Sequence, residues 1–408
     1  MTTLQEAVPA DLLALDAHDP LAHKRAEFLL PEGLIYLDGN SLGALPAHVP
    51  ARLAQVAGQQ WGEQLIRSWT GGTEEGRDWM TLPDRVAAKI ARLIGAQPHQ
   101  VAVGDSTSVN LFKLLSAALA LNPGRRVILT DADNFPTDLY VAQGLNALLD
   151  GRYELRRVAT NELAAALSDE VAVLLLTQVD YRSGARHDLA AMTRSAQAHG
   201  ILTVWDLAHS AGAFEVELDA AGADFALGCG YKFLNGGPGA PSFLYVAERH
   251  LEAAPVYLSG WMGHADPFEM ARDYAPAPGA RRFVVGTPSI LNLAALDAAL
   301  EVFEGVDMQQ VRAKSLALSR TFIGWMQPLT LRFPLHLLTP LDEDRRGSQV
   351  AYRHPQASEV MRRLTLAGVI GDFRTPDILR FGLTPLYLSH AEMWRAVQVI
   401  RQVLEAGV

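Results

Sequence analysis

Short apolar runs alternate with amphipathic segments of helical period through the middle of this chain. Segments such as residues 107–121 and 189–199 separate the runs, several of which are apolar throughout, without alternating polar residues. Strands that are apolar on both faces are typical of a mostly parallel sheet that is covered by helices on each side. The pattern therefore predicts an α/β domain with strands at residues 101–103, 126–130, 153–158, 171–177, 201–205, 223–227 and 242–246.

The regions on either side of this predicted seven-stranded sheet follow different patterns. Residues 1–60 combine short helical patterns with several prolines and are predicted to form an N-terminal arm. Residues 61–288 would form the large domain, and residues 289–408 a smaller C-terminal α+β domain. In the smaller domain we expect helices at 290–303, 311–326, 358–367 and 391–404, and strands at 331–338 and 349–352.

Composition and charge narrow the class of protein. The 408 residues are 49% hydrophobic and carry a formal net charge of −10, which disfavours an unaided role on nucleic acid or on a membrane surface. The single cysteine, Cys229, excludes an intrachain disulfide and a cysteine-cluster metal site, and we predict no metal. No apolar run approaches the roughly 20 residues that span a bilayer, and the N-terminus lacks a signal-peptide pattern. These features predict a cytoplasmic protein.

Candidate chemistry begins with Lys232, which follows the apolar run 223–227 and stands in a glycine-rich stretch, residues 228–239. A lysine among aromatic and apolar neighbours loses hydration, and a neutral amine can attack a carbonyl to form a Schiff base. The glycines allow backbone to approach a bound group closely. A lysine at a strand end is more often a solvated surface residue, so its partners decide between the two interpretations.

Asp206 is the nearest candidate partner, because it ends the apolar run 201–205. The carboxyl end of a buried parallel strand is where open α/β sheets bind ligands. Pyridoxal phosphate needs a carboxylate there, since its ring nitrogen acts as an electron sink only while it is protonated. Asp206 alone could equally be a helix N-cap. Together with Lys232, it favours a cofactor site.

Motifs along nearly the whole chain resemble the kynureninase family, which belongs to the pyridoxal-phosphate enzymes of the aspartate-aminotransferase fold, fold type I. The motifs are YLDGNSLG (36–43), NFPTD (134–138), WDLAHSAGA (205–213), GYKFLNGGPGA (230–240), LSGWMGH (258–264) and LRFGLTPLY (379–387). Many relatives share the aspartate and the lysine, whereas GNSLG, FPTD and YKFLNGGPG are more specific. The resemblance implies a homodimer with an active site at the subunit interface.

Residues at the predicted phosphate site begin with Thr107 and Ser108. They stand at a helix start, where unpaired N–H groups favour a dianion, although helix capping explains the same residues. The resemblance implies that both bind the phosphate of pyridoxal 5′-phosphate, and that Tyr231 and Trp261 add further donors. It also implies that Thr287 reaches the phosphate from the second subunit.

The resemblance also implies which residues surround the cofactor ring. Phe135 would cover one face of the ring, with an offset stack that contributes about 1 kcal/mol beyond burial. Asp138, Ser183 and His209 would lie around the ring and its phenolic oxygen.

Substrate binding is predicted to centre on Arg380. This arginine lies in a nearly apolar strand, residues 378–382, where an unpaired guanidinium would be costly, so an anion such as an amino-acid carboxylate should meet it. Arg374, in a polar loop, is the rival arginine. The resemblance places Asn40 and Ser41 beside the active site, although both could be ordinary turn formers.

The resemblance also places Trp69, Gly286 and Thr287 near the substrate ring, where a core role for Trp69 is the alternative. A bulky indole and a glycine leave an added ring hydroxyl crowded or unpaired. This predicts a preference for kynurenine over 3-hydroxykynurenine.

The predicted activity is hydrolysis of L-kynurenine to anthranilate and L-alanine, in tryptophan catabolism. Lys232 would hold the cofactor and move the Cα proton, Asp206 would hold the ring nitrogen's proton, and Tyr231 would donate or relay a proton. An aminotransferase or another lyase of the same fold is the alternative. A cysteine desulfurase needs a cysteine on a C-terminal loop, and none follows Cys229. A non-enzymatic regulator would be expected to lack the lysine or to carry a basic helix-turn-helix segment.

Overall fold

The computed structural model describes residues 7–71 and 78–407. Its helices are α1 (Ala10–Ala17), α2 (Val49–Gln55), α3 (Leu82–Leu93), α4 (Thr107–Leu121), α5 (Pro136–Leu148), α6 (Leu189–Ala198), α7 (Leu218–Ala221), α8 (Ile290–Ala299), α9 (Met308–Thr330), α10 (Ala357–Leu366) and α11 (His390–Glu405). Within the described residues, none of these helices is long and apolar enough to cross a membrane.

The strands are mostly short. They are β1 (Phe28–Leu29), β2 (Ile35–Tyr36), β3 (Leu45–Pro46), β4 (Val101–Val103), β5 (Val127–Asp131), β6 (Glu154–Val158), β7 (Val171–Thr177), β8 (Leu202–Asp206), β9 (Phe225–Gly228), β10 (Phe243–Val246), β11 (His336–Leu337), β12 (Gln349–Arg353), β13 (Val369–Ile370), β14 (Asp372–Arg374) and β15 (Ile378–Gly382).

Seven strands form the central sheet, in the order β4-β10-β9-β8-β7-β5-β6. Strand β10 is antiparallel to both of its neighbours, and the remaining pairs are parallel. The predicted mostly parallel sheet of seven strands is therefore confirmed, with each predicted strand shifted by at most two residues at either end.

The inner strands of this sheet are buried on both faces, as their apolar sequences predict, whereas the edge strand β6 is only partly buried. Every residue of β7 is buried. Leu174 and Leu176 pack into the core on one face, whereas Val173 and Leu175 pack into the core on the other. A fully buried aliphatic side chain contributes about 1.5–3 kcal/mol relative to an exposed one, so the position of the strand and of its carboxyl end is firmly set.

The C-terminal part contains a second sheet, with four antiparallel strands in the order β11-β12-β15-β14. The predicted strand at 331–338 is wrong for most of its length. Helix α9 continues to Thr330, Leu331 is exposed, and only His336–Leu337 pairs with β12. Pro334 has no N–H to donate to a ladder, which restricts pairing to the residues after it.

The N-terminal segment lies between the C-terminal sheet and the turn that carries Lys232. Strand β2 pairs in parallel with β13, and the N–H of Gly43 donates to the carbonyl of Tyr231 (2.8 Å). A Cβ atom on Gly43 would lie 2.3 Å from the carbonyl oxygen of Lys232, so this close approach requires glycine. The domain boundaries after residues 60 and 288 remain predictions.

Candidate active site

A cavity of about 530 Å³ opens at the carboxyl ends of the central parallel strands. Thr177 is the last residue of β7 and Asp206 is the last residue of β8, and both line the cavity. This edge is where open α/β sheets bind ligands. The lining residues are Asp105, Ser106, Thr107, Ser108, Phe135, Thr137, Asp138, Thr177, Tyr181, Asp206, Ala208, His209, Tyr231, Lys232, Pro238, Gly239, Ala240 and Ser242.

Lys232 stands in the turn after β9, with its amine in this cavity. Its Nζ lies 3.3 Å from Nε2 of His209, and 6.0 and 5.9 Å from the ring centroids of Phe135 and Tyr231. The other four lysines of the chain each form an ion pair with an aspartate or a glutamate; these are Lys24, Lys89, Lys113 and Lys314. Lys232 forms none with a described residue, so its amine is available for chemistry.

Two carboxyl groups, those of Asp206 and Asp138, are buried in the same cavity. Asp206 accepts the N–H of Ala208 (2.6 Å), and Asp138 accepts the hydroxyl of Thr177 (3.2 Å). Burial raises the pKa of Asp206, and the nearby Lys232 amine opposes that rise. Burial and then the charge of Asp206 hold the pKa of Asp138 well above its usual range. Because like charges repel here, the pair favours a bound cation and leaves Asp138 as the member that keeps a proton.

His209 lines the cavity as a neutral imidazole. Burial first, and then the charges of Lys232 and Arg380, hold the pKa of His209 well below its usual range. Its Nε2 lies 3.2 Å from the carbonyl oxygen of Asn40. Its Nδ1 is buried and has no partner among the described residues, which leaves one hydrogen-bonding atom available for a bound group.

The opposite end of the cavity is formed by the start of α4. The helix begins at Thr107, as predicted, and the side chain of Ser106 caps it by accepting the N–H of Val109 (3.4 Å). Thr107 and Ser108 line the cavity with their hydroxyl-bearing side chains at this helix start. Unpaired N–H groups and hydroxyls at a helix N-terminus suit a dianionic phosphate. Asp105, just before the cap, has a positive φ of 55°.

Arg380 is 1% exposed and is held by several acceptors. Its Nη1 donates to the carbonyl of Tyr181 (2.7 Å), and its Nη2 donates to the hydroxyl of Ser41 (2.8 Å) and to Asp372. With its amide oxygen turned toward Arg380, Asn40 accepts from Nε (3.0 Å). Asn40 and Ser41 thus contact the predicted substrate arginine.

Asp372 is shared by Arg380 and its rival, Arg374. The Nη2 of Arg374 lies 2.7 Å from Asp372, and the side chain of Arg374 is 40% exposed. Its Nε is buried without a partner among the described residues. The anion that sequence reasoning required for Arg380 is therefore supplied in part by the chain itself. Asp372 contacts both guanidinium groups, and Asp38 lies near enough to act on both electrostatically.

Ser183 lies outside this cavity, contrary to the prediction. Its hydroxyl donates to Asp180 (2.5 Å), and the residue lines a second cavity of about 300 Å³ with Arg186 and His187. The short turn from Asp180 to Gly184 uses the hydroxyl of Ser183 internally, so the side chain faces away from the strand ends.

Arg380, Asn40 and Ser41 contact one another but do not line this cavity. Four other predicted residues do not line it either. Trp261 is 37% exposed, and Gly286 and Thr287 are exposed. Trp69 is half-buried and packs edge-to-face on Trp79, with ring centroids 5.5 Å apart. Their roles at a site shared between two subunits remain predictions.

Thr177 and Tyr181 are among the lining residues that were not predicted from the sequence. Thr177 ends β7 as Asp206 ends β8, so the strand-end argument that identified Asp206 would also have found it. Tyr181 gave no such signal. Its ring packs edge-to-face on Phe135 at 5.1 Å, and its carbonyl accepts from Arg380.

The fold and these strand-end residues define a class of protein. The chain is similar in structure to an apo cysteine desulfurase from Thermococcus onnurineus NA1, with a TM-score of 0.78 and 18% identity over 98% of this chain and 99% of that one. It is also similar to a C-DES variant with glycine covalently linked to its PLP cofactor, with a TM-score of 0.76 and 17% identity over 92% and 98% of the two chains. The fold is that of the type I pyridoxal-phosphate-dependent enzymes.

Sequence comparison identifies the family within this class. The family model for the kynureninase C-terminal domain matches residues 311–400. The chain is 68% identical to a kynureninase of Deinococcus radiodurans over 99% of this chain and 98% of that protein, and 49% identical to a kynureninase of Burkholderia mallei over 99% and 96%. This chain belongs to the kynureninase family. The predicted family, fold and hydrolase activity are confirmed.

Asp38 lies near Arg380, Arg374 and Asp372, and its carboxyl gives a prediction about how stability depends on pH. Burial raises the pKa of its carboxyl from 3.8 to about 6, which means that the folded chain binds this proton more tightly than the unfolded chain. The ionised group therefore lowers stability as the pH rises from about 4 to about 6. Asp38→Asn should raise the free energy of unfolding by about 1–2 kcal/mol near pH 7.5 and leave it unchanged below about pH 4.

Urea unfolding at a series of pH values measures this difference. Asp169→Asn is the matched control, because Asp169 is exposed and its substitution should change little at any pH. An Asp38→Asn variant that is less stable than the wild type near pH 7.5 would contradict the prediction.

Proposed function

We propose that this chain hydrolyses the Cβ–Cγ bond of L-kynurenine, to give anthranilate and L-alanine, with pyridoxal 5′-phosphate as its cofactor. The observation that carries the proposal is the position of Lys232. Its amine, which has no ion pair with a described residue, shares one cavity with the buried Asp206 and with the hydroxyl-rich start of α4. An amine, a carboxylate and an anion cradle are the three groups that this cofactor needs.

The residues present fit the cofactor at each of its polar ends. Thr107 and Ser108 would bind its phosphate, and Asp206 would hold the proton on its ring nitrogen. Phe135 would cover its ring, while His209, whose buried Nδ1 lacks a partner among the described residues, would meet a polar substituent of the ring. When bound, the cofactor supplies an electron sink for charge that develops on the substrate.

Proton movement is assigned to Lys232 and Tyr231. Lys232 would tether the cofactor and then, released by the substrate amine, take the proton from Cα. Burial first, and then Cys229 and Asp206, raise the pKa of Tyr231 to about 12. The phenol therefore keeps its proton at neutral pH, which supports a role as donor and not as base.

The substrate carboxylate is assigned to Arg380. Its guanidinium is fixed by Tyr181, Ser41 and Asp372, so it loses little side-chain entropy when an anion binds. Asp372 is shared between Arg380 and Arg374, so neither guanidinium has this carboxylate to itself. Arg374 is the more exposed of the two and would contribute less.

A homodimer with a shared site is part of the proposal. The exposure of Trp261, Gly286 and Thr287 on a single chain supports it, since these residues would then be covered by a second subunit. Trp69 and Gly286 would border the substrate ring and favour kynurenine over 3-hydroxykynurenine. A cytoplasmic location fits the composition.

Purified protein with added pyridoxal phosphate should release anthranilate from L-kynurenine. The fluorescence of anthranilate measures this release. Lys232→Ala should remove this activity to within a trace, because the cofactor loses its tether and the substrate its base. Lys89→Ala is the matched control, since Lys89 pairs with Asp297 away from the cavity and the variant should keep turning over. Cofactor binding without anthranilate release by the wild type would contradict the proposed function.

Replacing the two arginines separately tests the assignment of the substrate carboxylate. Arg380→Ala should raise KM for kynurenine strongly, since losing a desolvated charge-assisted pair costs about 2–5 kcal/mol. Arg374→Ala, which removes the more exposed guanidinium on the same carboxylate, should change KM by less than about tenfold. The cofactor's absorbance should stay near normal in both variants. A larger effect at Arg374 would reverse the assignment.

A further inference from the structure

The end of the cavity that is proposed to bind the cofactor phosphate also contains a carboxylate, which would disfavour phosphate binding. Asp105 lines the cavity beside Ser106, Thr107 and Ser108, and its side chain is 33% exposed. A negative charge at this position repels a phosphate dianion. The backbone of Asp105 is fixed, because its carbonyl accepts the N–H of Ser242 (3.0 Å), so the residue cannot simply leave the cavity.

Lys113 lies behind this carboxylate, two turns into α4. Its Nζ donates to Oδ2 of Asp105 (2.5 Å), to the carbonyl of Phe283 (2.7 Å) and to Oδ1 of Asn110 (3.3 Å). The side chain is 2% exposed and does not line the cavity. An ammonium group has three donors, and all three are used. Lys113 therefore has no donor left for a bound phosphate and can act on it only through Asp105.

The contact with Phe283 links this pair to a second functional segment. Phe283 ends the 3₁₀ turn Gly279–Phe283, and three residues later come Gly286 and Thr287. The buried ammonium of Lys113 thus contacts both Asp105, beside the proposed phosphate site, and the turn that precedes Thr287, which is proposed to reach the second subunit.

We propose that Lys113 is a positioning residue for the cofactor phosphate, which it favours by neutralising Asp105 and turning its carboxylate toward the helix interior. The inference rests on the proposed use of pyridoxal phosphate. In this arrangement, N–H groups and hydroxyls at the start of α4 would bind the phosphate dianion. The negative charge of Asp105 would be offset by its ion pair with Lys113.

Three variants separate the charge effect from structural damage. Lys113→Met keeps the side-chain volume but leaves Asp105 unpaired, and it should weaken pyridoxal phosphate binding by about tenfold or more. Asp105→Asn should bind as tightly as the wild type or more tightly, since asparagine tolerates the positive φ and removes the opposing charge. The double variant Asp105→Asn, Lys113→Met should recover to within about threefold of the wild type.

Affinity is measured by titrating the apo protein and following the cofactor's absorbance, with pyridoxal as a probe that lacks the phosphate. Lys113→Met should change pyridoxal affinity by less than about twofold, because pyridoxal carries no dianion. Equal losses for both probes, a double variant no better than Lys113→Met, or weaker cofactor binding by Asp105→Asn would each overturn the inference. If Lys113→Met does not fold, Asp105→Asn alone decides. Failure of the wild type to bind pyridoxal phosphate would instead contradict the proposed function.

Discussion

The rest of the site depends on the half-buried amine of Lys232, which has no carboxylate partner among the described residues. The other four lysines are neutralised by ion pairs, whereas Lys232 faces an imidazole and two aromatic rings. The surroundings compensate at a distance. His209 is kept neutral by burial and by nearby positive charge, and Asp206 supplies negative charge without direct contact. The amine thus has no carboxylate in direct contact among the described residues, which leaves it accessible for covalent chemistry.

The fold maintains this arrangement by bringing distant segments to one edge of the sheet. Strands β7 and β8 end in Thr177 and Asp206, and β9 leads into the turn of Lys232. The N-terminal segment closes over that turn where Gly43 meets the carbonyl of Lys232, and its Ser41 holds Arg380 from the C-terminal sheet. A substrate bound at Arg380 and at Lys232 would therefore contact all three parts of the chain. Two other charged groups of this region are held in ion pairs, because Asp372 pairs with Arg380 and Lys113 pairs with Asp105.

Sequence reasoning succeeded where a local pattern determines position. The strand patterns located all seven strands of the central sheet, of which only β6 (Glu154–Val158) is rich in charged residues. The strand-end argument located Asp206 because parallel strands finish at one edge. It failed where a single residue breaks a pattern: Pro334 prevents the apolar stretch after α9 from forming a long strand. It also failed at Ser183, since the hydrogen bond to Asp180 that turns its side chain away depends on three-dimensional contacts. Tyr181 contacts Arg380 from a turn that is distant in sequence, and Asp372 contacts it from the neighbouring strand β14. The spacing of residues in the sequence does not predict either contact.

The position of the cofactor's covalent bond is the most direct test of this site. The protein would be incubated with pyridoxal phosphate, reduced with borohydride, digested and analysed by mass spectrometry. With five lysines in the chain, the labelled peptide identifies the residue without ambiguity. The label is predicted on the peptide that contains Lys232, because this amine alone among the five has no ion pair with a described residue. A label on Lys24, Lys89, Lys113 or Lys314, or bound cofactor with no label at all, would contradict it.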